Sequence, residues 1–163
     1  MMSEPATKDQ GPGLFDRFLI WLMPKITPGH VWAYRTLGGR FVNRTAAGGP
    51  VLLLTTTGRH SGEKRTVALG YLDEDDGVYV AGSNGGLPRE PNWALNLRAY
   101  PLVDVQIGRE QFSVQAELLQ ADDREEVWQR YVAAYPPYGE AQQWAGREFP
   151  LIRLRRPGST SDI

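Results

Sequence analysis

From Val51 to Arg155 the chain divides into six short runs of β-branched or alternating apolar residues: Val51–Thr57, Thr66–Leu72, Val78–Ser83, Leu102–Ile107, Phe112–Leu119 and Phe149–Arg155. Turn-forming clusters such as Asp73–Gly77 and Gly108–Glu110 part them. A parallel pair needs a crossover of roughly a dozen residues or more between its strands, usually a helix. Here two helical patterns interrupt the series. One is short, at about Pro91–Ala99, and the other opens at ADDREEVWQRYVAAY, where Asp122 stands as an N-cap with acids in the first turn. Runs joined by hairpins rather than by regular βαβ alternation predict an α+β fold, an antiparallel barrel of about six strands with flanking helices.

Upstream of the barrel, Met1–Gly13 reads as a disordered tail, and residues 14–50 as a helical segment with patterns at Leu14–Met23 and about Val31–Asn43. A Thr-Ala-Ala-Gly-Gly-Pro breaker ends the second. The barrel domain spans 51–157, and 158–163 form a C-terminal tail. Leu14–Met23 (LFDRFLIWLM) is the most apolar stretch, yet Asp16 and Arg17 interrupt it. It is about half the ~20 residues that span a bilayer, and no basic region or small-residue cleavage site frames it. Leu14, Phe15, Phe18, Leu19, Trp21 and Leu22 fall near helical spacing, which predicts an amphipathic helix stopped by Pro24. Two roles stay open for it: packing on the core, or shallow docking on the inner face of the cell membrane by an otherwise cytoplasmic protein.

At 163 residues the chain has the length of one domain with a real core. Its 18 basic and 19 acidic residues leave a net charge of −1, so no global field draws it to nucleic acid, and any anion site has to be local. Zero cysteines exclude disulfides and thiolate metal sites, and two histidines, His30 and His60, cannot build a histidine cage. The sequence therefore predicts no metal.

A local anion site is offered by TTTGRHSGEKRT, Thr55–Thr66, where a strand runs into Gly58 and turns through Arg59-His60-Ser61-Gly62. Glycines let backbone amides approach a ligand, and Arg59, Ser61, Lys64 and Arg65 supply donors suited to phosphate. The spacing is not that of a P-loop, because Gly58 and Gly62 enclose three residues rather than four. The alternative is an exposed polar turn with solvated charges. Two further stretches extend the pattern. VAGSNGG, Val80–Gly86, ends the third strand with a serine and flexible glycines, and EPNWALNLRAYP opens a helix with Asn92 and Trp93 near its N-terminus. A helix N-terminus offers unpaired amides to an anion. Trp93 is read equally well as a core anchor.

In order, these segments resemble the deazaflavin-dependent nitroreductase family, split β-barrel proteins of actinobacteria that bind coenzyme F-420. The likeness runs from about Val51 to Arg156, on LLTTTGRHSGEKR, VYVAGSNGG, PNWALNLRAYPLVDVQIG and the late YVAAYPPYGEAQQW. The resemblance implies that Arg59, His60, Ser61, Gly62 and Arg65 hold the coenzyme's phosphate and acidic tail. It places Val67, Ala68 and Leu69 along the deazaflavin, Ala81, Ser83 and Asn84 at its ring, and Asn92 and Trp93 at the close of the pocket. Tyr135 and Tyr138 match tyrosines on the substrate side, where the third such position is Ala141; the segment reads alternatively as one amphipathic helix burying Tyr131, Tyr135 and Trp144. Many members carry lysine at the positions of His60 and Asn84, and asparagine-proline at Val67-Ala68.

The implied activity is hydride transfer from reduced F-420 to an electron-poor small molecule, a quinone or a nitro-aromatic compound. The coenzyme carries the hard step, so the protein needs no catalytic triad. Ser83 and Tyr138 are the candidates for polar contacts to the acceptor, with Tyr135 as a stacking wall. Two other functions fit the same barrel: a non-catalytic carrier of the deazaflavin or another ligand, and an FMN-dependent oxidase. Oligomeric state is left open.

Overall fold

The computed structural model of the protein describes Thr45 and residues 48–155. The helical patterns Leu14–Met23 and Val31–Asn43 and the C-terminal tail lie outside the described residues. Strands β1 (Val51–Thr57), β2 (Lys64–Glu74) and β3 (Gly77–Ala81) are followed by helix α1 (Asn92–Ala99). Then come β4 (Leu102–Ile107), β5 (Glu110–Leu118), helices α2 (Ala121–Ala134) and α3 (Pro137–Ala145), and β6 (Leu151–Leu154). The six strands close into a barrel in the order β1-β2-β3-β6-β5-β4, and every pairing is antiparallel. This is the antiparallel barrel with flanking helices that the run pattern predicts.

Alternation along the strands sorts their side chains. Leu52 and Leu54 of β1 are fully buried and stand opposite Leu69 and Val67 of β2. With Val78, Val80, Val103, Val105, Val114, Ile152 and Leu154 they fill the barrel, and α1 adds Trp93, Ala94 and Leu97. Each such aliphatic side chain contributes roughly 1.5–3 kcal/mol of transfer free energy. The opposite phase builds an outer layer, in which Tyr79, Ala81 and Leu151 pack with Phe149 against Val127, Trp128 and Tyr131 of α2 and Ala145 of α3.

Three local expectations are corrected. Asp122 does not cap α2. The helix starts two residues earlier than such a cap would set it, at Ala121, after Gln120 in an extended conformation and with no side-chain cap, so Asp122 and Asp123 sit in the first turn, where they complement the helix dipole. The aromatic segment is not one helix but two, because Pro136 disfavours helical backbone at Tyr135 (φ −135°, ψ 76°) and Pro137 starts the next helix at its first turn. That restart also re-phases the apolar face. Ala145 takes the buried position, and Trp144 is 48% exposed instead of packing in the core.

Candidate functional site

The β1–β2 turn is closed by its own backbone, the Gly58 amide donating to the Glu63 carbonyl and the Gly62 amide to Gly58, both at 2.8 Å. Gly62 adopts φ +69°, a left-handed conformation that strains a residue with a Cβ. The turn is then pinned to α1. The Arg59 backbone amide donates to Asn96 Oδ1 at 3.1 Å, and its guanidinium reaches the same oxygen at 3.3 Å and Asn92 Oδ1 at 3.4 Å. Asn96 is 5% exposed and donates through Nδ2 to Oγ1 of the fully buried Thr56 at 3.2 Å. One amide thereby joins strand, turn and helix. Sequence reading passed over Asn96, although Trp93, Asn96 and Leu97 share helical spacing and mark position 96 as core-facing.

His60, Ser61 and Gly62 are exposed at the tip of the turn. Arg65 pairs with Glu63, both largely exposed, and Lys64 Nζ lies 3.3 Å from Asp104 Oδ2 on β4. Asp104 also accepts a 2.6 Å bond from Ser113, which together with Lys64 holds its carboxyl below the usual range. Exposed pairs of this kind contribute at most about 1 kcal/mol. Arg59, His60, Ser61 and Arg65 are thus collected at one turn, while Lys64 is drawn toward β4.

The register of β2 separates the expected ring-lining residues. Val67 and Leu69 face the barrel interior and pack against its core, whereas Ala68, between them in sequence, is exposed on the outer face. Two residues on, a Cβ at Gly70 would meet Thr45 Cγ2 at 2.7 Å and Tyr138 Oη at 3.2 Å. The missing side chain lets Thr45 and Tyr138 close on the strand, and two more tyrosines meet its backbone. Tyr131 Oη donates to the Gly70 carbonyl at 3.3 Å and Tyr135 Oη to the Tyr71 carbonyl at 3.0 Å. The Tyr131 and Tyr138 rings lie 5.0 Å apart at 77°, and Tyr131 and Tyr135 5.5 Å apart at 70°, edge to face. Burial raises the Tyr138 phenol above its ordinary value, against a lowering hydrogen bond from Tyr131. Burial likewise raises Tyr131, which is fully buried as the amphipathic reading of the segment expects.

Ala81 is buried at the end of β3, in the same outer cluster as the tyrosines. Beyond it Ser83 and Asn84 are half-buried in a loop, Asn84 donating to the Arg89 carbonyl at 3.0 Å. Asn92 is exposed beside Arg59, and Trp93 is 8% exposed and packs into the barrel core. The arrangement is an outer strand face with small side chains, bounded by a basic turn and by phenols held neutral. Among the described residues no cluster of His, Cys, Asp and Glu could hold a metal ion, and no helix is long and apolar enough to cross a membrane.

The sequence profile described as F420H(2)-dependent quinone reductase matches residues 27–155. An F420H(2)-dependent quinone reductase of Mycobacterium tuberculosis is 37% identical over 133 residues, 78% of this chain and 87% of that protein. A solved F420-H2 dependent reductase superposes with a TM-score of 0.60 at 38% identity, covering 65% of this chain and 94% of that one. A solved domain-swapped dimer gives 0.62 at 33% identity, covering 83% of this chain and 97% of the other.

Proposed function

The chain belongs to the F420H(2)-dependent quinone reductase family, and from that premise we propose that it passes hydride from reduced coenzyme F-420 to a quinone along the outer face of β2. The observation that carries this reading is the exposed Ala68 on the outer face of β2, lying between the Tyr135–Tyr138 wall and the turn that displays Arg59, His60, Ser61 and Arg65. The donor set fits a flat ring with an anionic tail. Guanidinium, imidazole and hydroxyl groups gather at one end, and the strand presents a small residue where a ring has to lie.

When bound, the coenzyme supplies the hydride. The protein's own residues do the rest. Arg59, Arg65, His60 and Ser61 hold the phosphate and acidic tail by charge-assisted hydrogen bonds, with Lys64 in reserve behind Asp104. Ala68 would leave room for the ring, and Ser83 and Asn84 would hold its edge. Tyr135 stacks on the acceptor and excludes water. Tyr138, whose raised phenol stays protonated at neutral pH, donates to the acceptor oxygen as negative charge builds there. A nitro-aromatic compound presents the same electron-poor, oxygen-bearing chemistry and is a second acceptor. The protein works in the cytoplasm, and Leu14–Met23 brings it to the membrane face where quinones reside.

Two measurements test this reading. Fluorescence titration of oxidised F-420 is expected to saturate, with FMN as a competitor that fails, and reduced coenzyme is expected to turn over with menadione. Binding without turnover would establish the carrier instead, and preferred binding of FMN would establish the flavin oxidase.

A further inference from the structure

The loop from Gly82 to Glu90, which carries Ser83 and Asn84, owes its shape to a side chain 60 residues away in sequence. Nη2 of Arg147 donates to the carbonyls of Gly82, Ser83 and Arg89, each at 3.1 Å, and Nε donates to Leu87 at 3.2 Å. The guanidinium lies 4.8 Å over the Phe149 ring, a fully buried anchor of the outer layer. The loop it grips is strained. Asn84, Gly85 and Gly86 run consecutively at φ 50°, 64° and 78°. A left-handed asparagine persists only where its surroundings over-determine it. The loop also holds itself in part: the Gly86 amide donates to Ser83 at 3.0 Å, Leu87 to Asn84 at 3.2 Å and the Asn84 side chain to the Arg89 carbonyl at 3.0 Å, while the Gly82 amide is tied to Pro150 at 2.8 Å. Gly86 also abuts α3, where a Cβ on it would stand 3.6 Å from the Ala141 Cβ.

We propose that Arg147 is a positioning residue: by gathering the carbonyls of Gly82, Ser83, Leu87 and Arg89 it fixes the left-handed turn and sets Ser83 and Asn84 at the coenzyme ring. This rests on the coenzyme reading above. The guanidinium suits the task because Nε and Nη2, fixed in one plane, together reach all four carbonyls, whereas an ammonium offers one donor atom on a flexible stem. Because the loop leans on α3, the same side chain ties the ring-facing loop to the helix that bears Tyr138.

The test compares wild type with Arg147→Ala and Arg147→Lys by backbone amide exchange and by titration of oxidised F-420. Exchange across residues 82–89 is expected to rise about tenfold or more in Arg147→Ala while β1 and β4 keep wild-type protection. The coenzyme Kd is expected to rise about tenfold, Arg147→Lys to recover only part of either loss, and added methylguanidinium to restore both in Arg147→Ala. Wild-type exchange in the loop of Arg147→Ala, or acceleration spread equally over the barrel, would overturn the claim that Arg147 holds the loop. A loosened loop with unchanged Kd would overturn its link to the coenzyme. If Arg147→Ala does not fold, Arg147→Lys decides by the same criteria. Wild type that binds no F-420 would sink the coenzyme reading, while the exchange measurement would still decide the grip on the loop.

Discussion

Arg59 and Asn96 show how one buried amide governs an exposed charge. Asn96 accepts from the Arg59 backbone and guanidinium and donates to Thr56. Replacing it by leucine takes this partner from the Arg59 amide and the Thr56 hydroxyl, while the guanidinium keeps Asn92. Urea unfolding of Asn96→Leu is expected to show a loss of roughly 1–3 kcal/mol, and F-420 titration a weaker complex, because Arg59 then rests on Asn92 alone. Arg59→Ala is expected to weaken the coenzyme by roughly 1.5–3 kcal/mol with little change in unfolding midpoint, and added salt to weaken wild-type binding in the same direction. Affinity indifferent to both would remove the turn from the site. At the acceptor end, Tyr138→Phe keeps the ring in its edge-to-face cluster and deletes only the donor. Its kcat with menadione is expected to fall about tenfold or more while coenzyme Kd stays within about twofold. An unchanged kcat would assign the proton to another group.

Strand β2 carries both the core and the candidate site on alternate residues, and the two functions are separable by mutation. Ala68→Leu places bulk on the outer face and is expected to block F-420 binding at unchanged melting temperature. Val67→Ala, one residue earlier, is expected to cost about 1.5 kcal/mol of stability by urea unfolding and to spare binding. The reverse pattern would put the site on the other face. The same strands explain what could be read in advance. β1 and β4 match their runs residue for residue, because period-2 alternation and bounding turns act locally. β2 outran its expected start at Thr66, since Lys64 and Arg65 look like turn residues but pair with Thr57 and Thr56. The helix pair α2–α3 was legible as apolar and aromatic but not as broken, though Pro136-Pro137 held the signal. Of the candidate site, the turn and the glycine-rich loop could be seen as segments. Their hydrogen-bond partners could not: Asn96, Asp104 and Arg147 meet them from 37, 40 and 58 or more residues away, across distances that local pattern does not encode.

The outer layer makes the whole molecule sensitive to alkali. Burial and the Asp76 carboxylate push the Tyr79 phenol up to about 12, and Tyr131 and Tyr138 are raised as well. A phenol raised in the folded state binds its proton more tightly there than in the unfolded chain. Its stabilisation is therefore complete below the unfolded value near 10 and is lost as pH climbs toward 12. Urea midpoints are expected to hold between about pH 7 and 9 and to fall above about 10, and Tyr79→Phe to make that fall shallower. At the membrane, removal of residues 1–23 is expected to abolish sedimentation with liposomes and to slow reduction of a long-chain quinone embedded in them, with the rate on menadione unchanged. Full-length protein that never sediments would end the membrane reading. The closed barrel also constrains how the chain is made. β3 and β5 are both completed sideways by β6, with Asp76 and Arg153 meeting 77 residues apart. Until Leu151–Leu154 leaves the ribosome, two strands of the nascent chain therefore show open edges to any neighbour, and the ring shuts on its last strand rather than its first.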